Sequence, residues 1–114
     1  MSDCIFCRIV RREIPAKVVF EDSQVLAFDD IHPQAPIHTL VIPKKHLASS
    51  AEAQPDDNFL LGHLLRVGSQ IARDKGVAES GYRCVINTGA HGGQTVFHLH
   101  VHVLGGRPMH WPPG

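Results

Sequence analysis

Apolar positions along the chain recur at two spacings, and the switches between them mark out the elements. Ile5-Phe6 and Ile9-Val10 stand i, i+4 apart, which predicts a short amphipathic helix ended by Ile14-Pro15. Val18-Val19-Phe20 and Val25-Leu26-Ala27-Phe28 are apolar runs on either side of Glu21-Asp22-Ser23-Gln24, the pattern of a β-hairpin. Thr39-Leu40-Val41-Ile42 predicts a further strand, closed by Pro43, with Lys44-Lys45-His46 as its polar exit. From about Pro55 to Lys75 the spacing is helical, with Leu61, Leu64, Leu65, Gly68, Ile71 and Ala72 on one stripe. Asp56 or Asp57 can cap the start of this helix, and Gly76 follows its end. Tyr82-Arg83-Cys84-Val85-Ile86 and Val96 to Leu104 read as strands, separated by the glycine-rich Thr88-Gly89-Ala90-His91-Gly92-Gly93. Strands on short loops with one long and one short helix predict an α+β fold, an antiparallel sheet of about five strands with helical cover.

Composition narrows the class. The 114 residues, 43% of them hydrophobic, suit one core, and no repeat or linker divides them, so a single domain over residues 1–114 is expected. Eleven basic and eleven acidic residues cancel, which removes the global field that would collect nucleic acid or a membrane surface. Met1-Ser2-Asp3-Cys4 lacks the basic and apolar regions of a leader, and no apolar run reaches membrane-spanning length, so a cytoplasmic location is expected. Three cysteines, an odd count, favour reduced thiols or a metal site over a disulfide framework. Nine histidines are many for this length, and their clustering carries the chemistry.

That cluster is His98-Leu99-His100-Val101-His102. On a strand, side chains alternate, so the three histidines share one face and Phe97, Leu99, Val101 and Val103 take the other. Alternate residues lie about 7 Å apart, too far for ring contact but suited to holding different atoms of one phosphate-sized group on an open surface. A central nucleophile, His100, with His98 and His102 as flanking donors follows. A neutral imidazole can attack phosphorus, and its neighbours can stabilise the charge that develops. Upstream, Gly89, Gly92 and Gly93 permit N–H groups to cradle an oxyanion, and Gln94 and Thr95 bring polar side chains to the mouth of the strand. The rival reading is a catalytic metal on the His-x-His pair, which lacks a nearby carboxylate as third ligand.

At these residues the chain resembles the histidine triad (HIT) family, whose signature is His-x-His-x-His followed by apolar residues. Arg12-Glu13-Ile14-Pro15-Ala16-Lys17, Asp30 to Pro36, Val41 to His46, Gly92 to Val96, Leu104 to Pro108 and Trp111-Pro112-Pro113-Gly114 resemble its Hint branch. The resemblance implies a homodimer whose two sheets join, and hydrolysis of purine nucleoside phosphoramidates such as adenosine 5′-phosphoramidate or lysine-linked AMP. It makes His100 the adenylylated nucleophile, His102 a phosphate contact and His38 a fourth active-site histidine. It places Asp30 at the ribose, a role its two acceptor oxygens suit, and Ile31 against the base. It puts Asn87, Gly93, Gln94 and Thr95 on the phosphate side. Thr95 stands where Ser is common and keeps the hydroxyl; His32 replaces the Ser usual in that branch. The tail from Gly105, too rich in glycine and proline for a helix, must lie on a surface, and the resemblance sends Trp111 toward the partner's nucleotide.

Cys4-Ile5-Phe6-Cys7 has the C-x-x-C spacing by which two thiolates reach one zinc, but a structural site needs two more ligands. By the resemblance these are His46 and His98, giving a structural zinc with no cofactor required for catalysis. A redox dithiol and two inert buried thiols are the other readings of the pair. Cys84, in an apolar strand, reads as a small buried side chain. A nucleotide-binding regulatory or interaction module, and a nucleotidyltransferase or phosphorylase using the same His100, are the alternatives to a hydrolase.

Overall fold

A computed structural model describes residues 4–114; Met1, Ser2 and Asp3, part of the stretch read above for a leader, lie outside the described residues. The first helix, α1 (Ile5–Val10), forms where the i, i+4 pair placed it, with Cys4 as its N-cap. It stops well short of Ile14, because Arg12 adopts a left-handed φ of 64° and turns the chain away. Strands β1 (Val18–Glu21) and β2 (Val25–Asp29) make the expected hairpin. Its turn is closed by the Asp22 carboxylate, which accepts from the N–H groups of Gln24 and Val25 at 2.8 and 2.7 Å.

Strand β3 (Ile37–Pro43) pairs with β2, after which the chain leaves the sheet through two 3₁₀ turns and the long helix α2 (Asn58–Asp74). It returns as β4 (Tyr82–Val85) and β5 (Val101–Gly105). The five strands lie in the order β1-β2-β3-β5-β4, every neighbouring pair antiparallel, which is the α+β architecture the pattern predicts.

Three expectations need correction. The long helix begins at Asn58, and Pro55–Asp57 is a 3₁₀ turn. Asp57 does stand at the N-cap position of α2, but its carboxylate accepts from the Gln54 N–H at 2.9 Å, so it ties that turn and makes no side-chain cap bond to the helix. On α2, Leu64, Gly68, Ile71 and Ala72 are buried, but Leu65 is 44% exposed; Leu60 and Val67, in phase with the 3.6-residue period, fill the stripe instead. The last strand does not span Val96 to Leu104. Pairing of β3 with β5 ends at Val41 opposite Val101, and the preceding backbone turns onto the segment after β3, where the Leu99 N–H donates to the Leu47 carbonyl at 2.7 Å.

Alternation along β2 and β3 buries both faces of the sheet. Val25, Ala27 and Val41 meet Leu64, Val67 and Ile71 of α2, joined by Leu99, Val101 and Val103. Leu26, Phe28, Leu40 and Ile42 meet Phe6 and Ile9 of α1 on the opposite face. That second layer is thin, six residues of helix over a wide sheet, and it leaves a cleft beside α1. Among the described residues no helix is long and apolar enough to cross a membrane.

Candidate active site

The three histidines of the motif do not form one open row. His98 is fully buried, His100 is buried and His102 half-buried. Because His98 and His100 precede β5, strand alternation does not govern them, and the rings of His100 and His102 come to 4.9 Å between centroids. Contact between them, excluded by strand spacing, is thus made. The ring of His98 leaves the row and joins two cysteines. Phe97, expected in the apolar layer with Leu99, is 55% exposed for the same reason.

His100 and His102 line a cleft of about 450 Å³, within the range of small-molecule sites. His38, Asp30, Ile31, His32 and Thr95 line it too, and its apolar wall is Ile5, Phe6 and Ile9 of α1 with Ile14, Phe28 and Leu40. The i, i+4 spacing of α1 signalled that wall, but periodicity assigns such residues to a core and does not distinguish a cleft lining. Ile31 is 85% exposed at its rim.

Hydrogen bonds fix where each imidazole holds its proton. The His98 carbonyl can only accept, so His100 donates to it from Nδ1 at 2.7 Å and keeps Nε2 as a lone pair. The Gln34 N–H donates to His38 Nδ1 at 3.0 Å, so the neutral His38 carries its proton on Nε2. That Nε2–H donates to His102 Nδ1 at 2.9 Å, which leaves His102 with an Nε2–H. Gln34, a residue without a chemical motif, therefore sets two tautomers through its backbone. The Asp30 carboxylate stands 3.5 Å from His38 Nε2 and accepts from the His32 N–H at 2.8 Å. Asp30, His38 and His102 approach closely enough to hold a cation, but the Gln34 N–H occupies the nitrogen where His38 would have to keep its proton as an Nε2 ligand.

Burial disfavours the imidazolium form at both rings. His102 is pushed down to about 4 by burial and by the neighbouring His100 and His38, against the opposing pull of Asp30. His38 is lowered by burial, with Asp30 again opposing.

The glycine-rich loop is built around Gln94. Its buried side chain accepts from the Gly89 N–H at 2.9 Å and donates to the carbonyls of Ala48 and Val96 at 2.6 and 3.1 Å. Gln94 thus shapes the loop, while Thr95 reaches the cleft. Gly92 is required there, since a Cβ would stand 2.4 Å from the Thr88 carbonyl oxygen. Asn87, half-buried, borders Gly93 and does not line the cleft; nor does Trp111, 81% exposed on the tail.

Behind α1, the sulfurs of Cys4 and Cys7 and the Nδ1 atoms of His46 and His98 all lie within 4.8 Å of one another. His98 Nδ1 is 3.3 Å from Cys4 Sγ, 3.6 Å from Cys7 Sγ and 3.2 Å from His46 Nδ1, and Cys7 Sγ is 3.3 Å from His46 Nδ1. A zinc tetrahedron of two sulfurs and two nitrogens has edges of about 3.3 to 3.8 Å, so the donor set fits that ion. His98 donates from Nε2 to the Pro43 carbonyl at 2.8 Å, which presents Nδ1 as the free lone pair, the orientation a metal-binding histidine needs. Cys84 stands apart, half-buried, with its thiol raised by burial.

Residues 11–109 match the HIT domain family model. An uncharacterized HIT-like protein of Synechocystis is 57% identical over 99% of this chain and 98% of its own length. Among solved structures, a HIT family hydrolase from Legionella pneumophila aligns with TM-score 0.96 at 53% identity, covering 98% of this chain and all of that one. A histidine triad protein from Clostridium difficile aligns with TM-score 0.93 at 44% identity, covering 96% of each chain. With the family's fold and its histidine motif both in place, this chain belongs to the HIT domain family.

Proposed function

We propose that the chain is a nucleotide hydrolase of the Hint-like kind, cleaving purine nucleoside 5′-phosphoramidates through a nucleotidyl-His100 intermediate. The bond from His100 Nδ1–H to the His98 carbonyl carries this reading, because it leaves Nε2 as an unprotonated nucleophile at a cleft lined by two further imidazoles. Nε2 attacks the α-phosphorus; the new P–N bond forms as the bond to the leaving amine breaks, and that nitrogen takes up a proton from solvent. Water then attacks phosphorus and gives a proton back to solvent, the P–Nε2 bond breaks, and AMP leaves with His100 Nε2 again unprotonated. The Nε2–H of His102 donates to the phosphate oxygens as they gain charge, with Thr95 as a further donor. Asp30 accepts from the ribose hydroxyls, and the apolar wall with Ile31 takes the base. The Legionella and Clostridium thermocellum relatives carry the description HIT family hydrolase, which supports hydrolysis.

A structural zinc on Cys4, Cys7, His46 and His98 belongs to the same reading; bound there it supplies a cross-link, not a reacting group. So does a cytoplasmic homodimer, supported by the open edge at β4 and by exposed Ile86 and Trp111. The test is to mix the protein with adenosine 5′-phosphoramidate and lysine-linked AMP, follow release of AMP and amine, and weigh the briefly exposed protein. Catalytic release with an AMP adduct on His100 is expected. Tight AMP binding without turnover assigns the chain to a nucleotide-binding module instead.

A further inference from the structure

Helix α1 has two faces with different duties. Cys4, its N-cap, and Cys7 turn their sulfurs to His46 and His98, while Ile5, Phe6 and Ile9 wall the cleft. A helix of six residues has little stability of its own, so its position depends on what holds these side chains. Between the two faces stands Phe6, whose buried ring meets His98 at 5.8 Å and His100 at 5.2 Å between centroids, each edge-on. His98 makes a second connection. Its ring belongs to the four-donor cluster, and its own carbonyl accepts the proton that orients His100. Whatever fixes the cluster therefore fixes both the wall of the cleft and the ring at its floor.

From this geometry we infer that the Cys4–Cys7–His46–His98 cluster is energetically coupled to the cleft: a cation in the cluster tightens nucleotide binding, and Phe6 is the positioning residue that transmits the effect. The inference rests on the nucleotide reading above and on the fit of the donor set. Linkage makes it reciprocal, so nucleotide must tighten cation binding by the same factor, and couplings of this kind are typically about fivefold or more.

Calorimetric titration of AMP into zinc-loaded and chelator-stripped protein should give at least a roughly fivefold weaker affinity after stripping, and a chelator competition should show AMP raising zinc affinity by the same factor. Because stripping can unfold α1, a second measurement keeps the site filled. Cobalt(II)-loaded protein is titrated with AMP, and its visible absorption bands report ligand geometry directly. Bands that shift in the wild type and stay still in AMP-saturated Phe6→Leu support the coupling and its route. Bands unchanged in the wild type with AMP bound, or equal zinc affinity with and without AMP, overturn the coupling and leave the nucleotide reading standing. A shift that persists in Phe6→Leu removes Phe6 from the route. Failure of AMP to bind either loaded or stripped protein overturns the nucleotide reading itself, and the coupling with it.

Discussion

His38 Nε2 lies 2.9 Å from His102 Nδ1, and the backbone N–H of Gln34 on the far side of His38 gives that contact a direction. Each ring passes its proton outward, and the chain ends on the Nε2–H of His102 in the cleft. Neutrality of both rings is a condition of this arrangement, since protonating His102 Nδ1 would set two N–H groups against each other.

The pH dependence follows. The folded state holds His102 at about 4, below the ordinary histidine value, so between about 6.5 and 4 the unfolded chain binds the extra proton and the folded chain does not. This contribution to stability is fully present above 6.5 and is lost as pH falls toward 4; His38, lowered in the same direction, adds to it. NMR titration of His102 should show a midpoint near 4. A midpoint near 6.5 would contradict the arrangement.

Replacing the proposed nucleophile separates chemistry from binding. His100→Ala should lower phosphoramidate turnover by on the order of 10³-fold or more while AMP still binds, because the cradle and the apolar wall remain. Single-turnover kinetics alongside calorimetry measure the two effects. Near wild-type turnover in this variant would sink the covalent route.

Elemental analysis of protein purified without chelators should find about one zinc per chain. Cys4→Ser should lower both the metal content and the melting temperature, since a cross-link between α1 and the segment after β3 is lost. Metal-free protein with unchanged melting would leave Cys4 and Cys7 as ordinary thiols.

The loop should depend on Gln94 more than on any exposed residue in it. Gln94→Leu leaves the Gly89 N–H and the Ala48 and Val96 carbonyls without their partner, at a cost of about 1–3 kcal/mol for each group that stays buried and unpaired. Denaturant unfolding should report the loss, and turnover should fall further than stability alone accounts for, because Thr95 is displaced with the loop. A variant of unchanged stability and kcat/KM would refute this role.

The tail and the assembly are testable together. Arg83 of the edge strand donates to the His110 carbonyl at 2.8 Å, which lays the tail beside β4 and leaves Trp111 exposed. Light scattering should give a dimer mass. Deletion from Met109 onward should change kcat/KM or substrate preference while the sheet stays folded. A monomeric mass, or deletion kinetics identical toward several phosphoramidates, would remove the shared site.

Much of the fold was legible in the chain because local pattern specifies it. Apolar runs bounded by turn residues placed β1 to β3, and the i, i+4 pair placed α1; such local signals were enough, although β2 and β3 bury both of their faces. The motif His98 to His102 pointed to the chemistry for a related reason: three imidazoles in so short a run have few structural uses. What periodicity did not disclose was their division of labour, which the sequence offered only through the family resemblance. Strand periodicity gave all three one face, whereas the end of β3–β5 pairing at Val101 frees His98 to turn to Cys4 and Cys7, residues more than ninety positions away. Likewise no local pattern marks Gln34, whose contribution is a backbone N–H, or Phe6, whose pattern is that of any core residue. Element type is written in nearest neighbours along the chain. The tautomers and the wall of the cleft are set by groups that meet only when distant segments pack, so the tertiary structure alone decided them; the ligand set Cys4, Cys7, His46 and His98, offered beforehand by family resemblance, owes its geometry to the same packing.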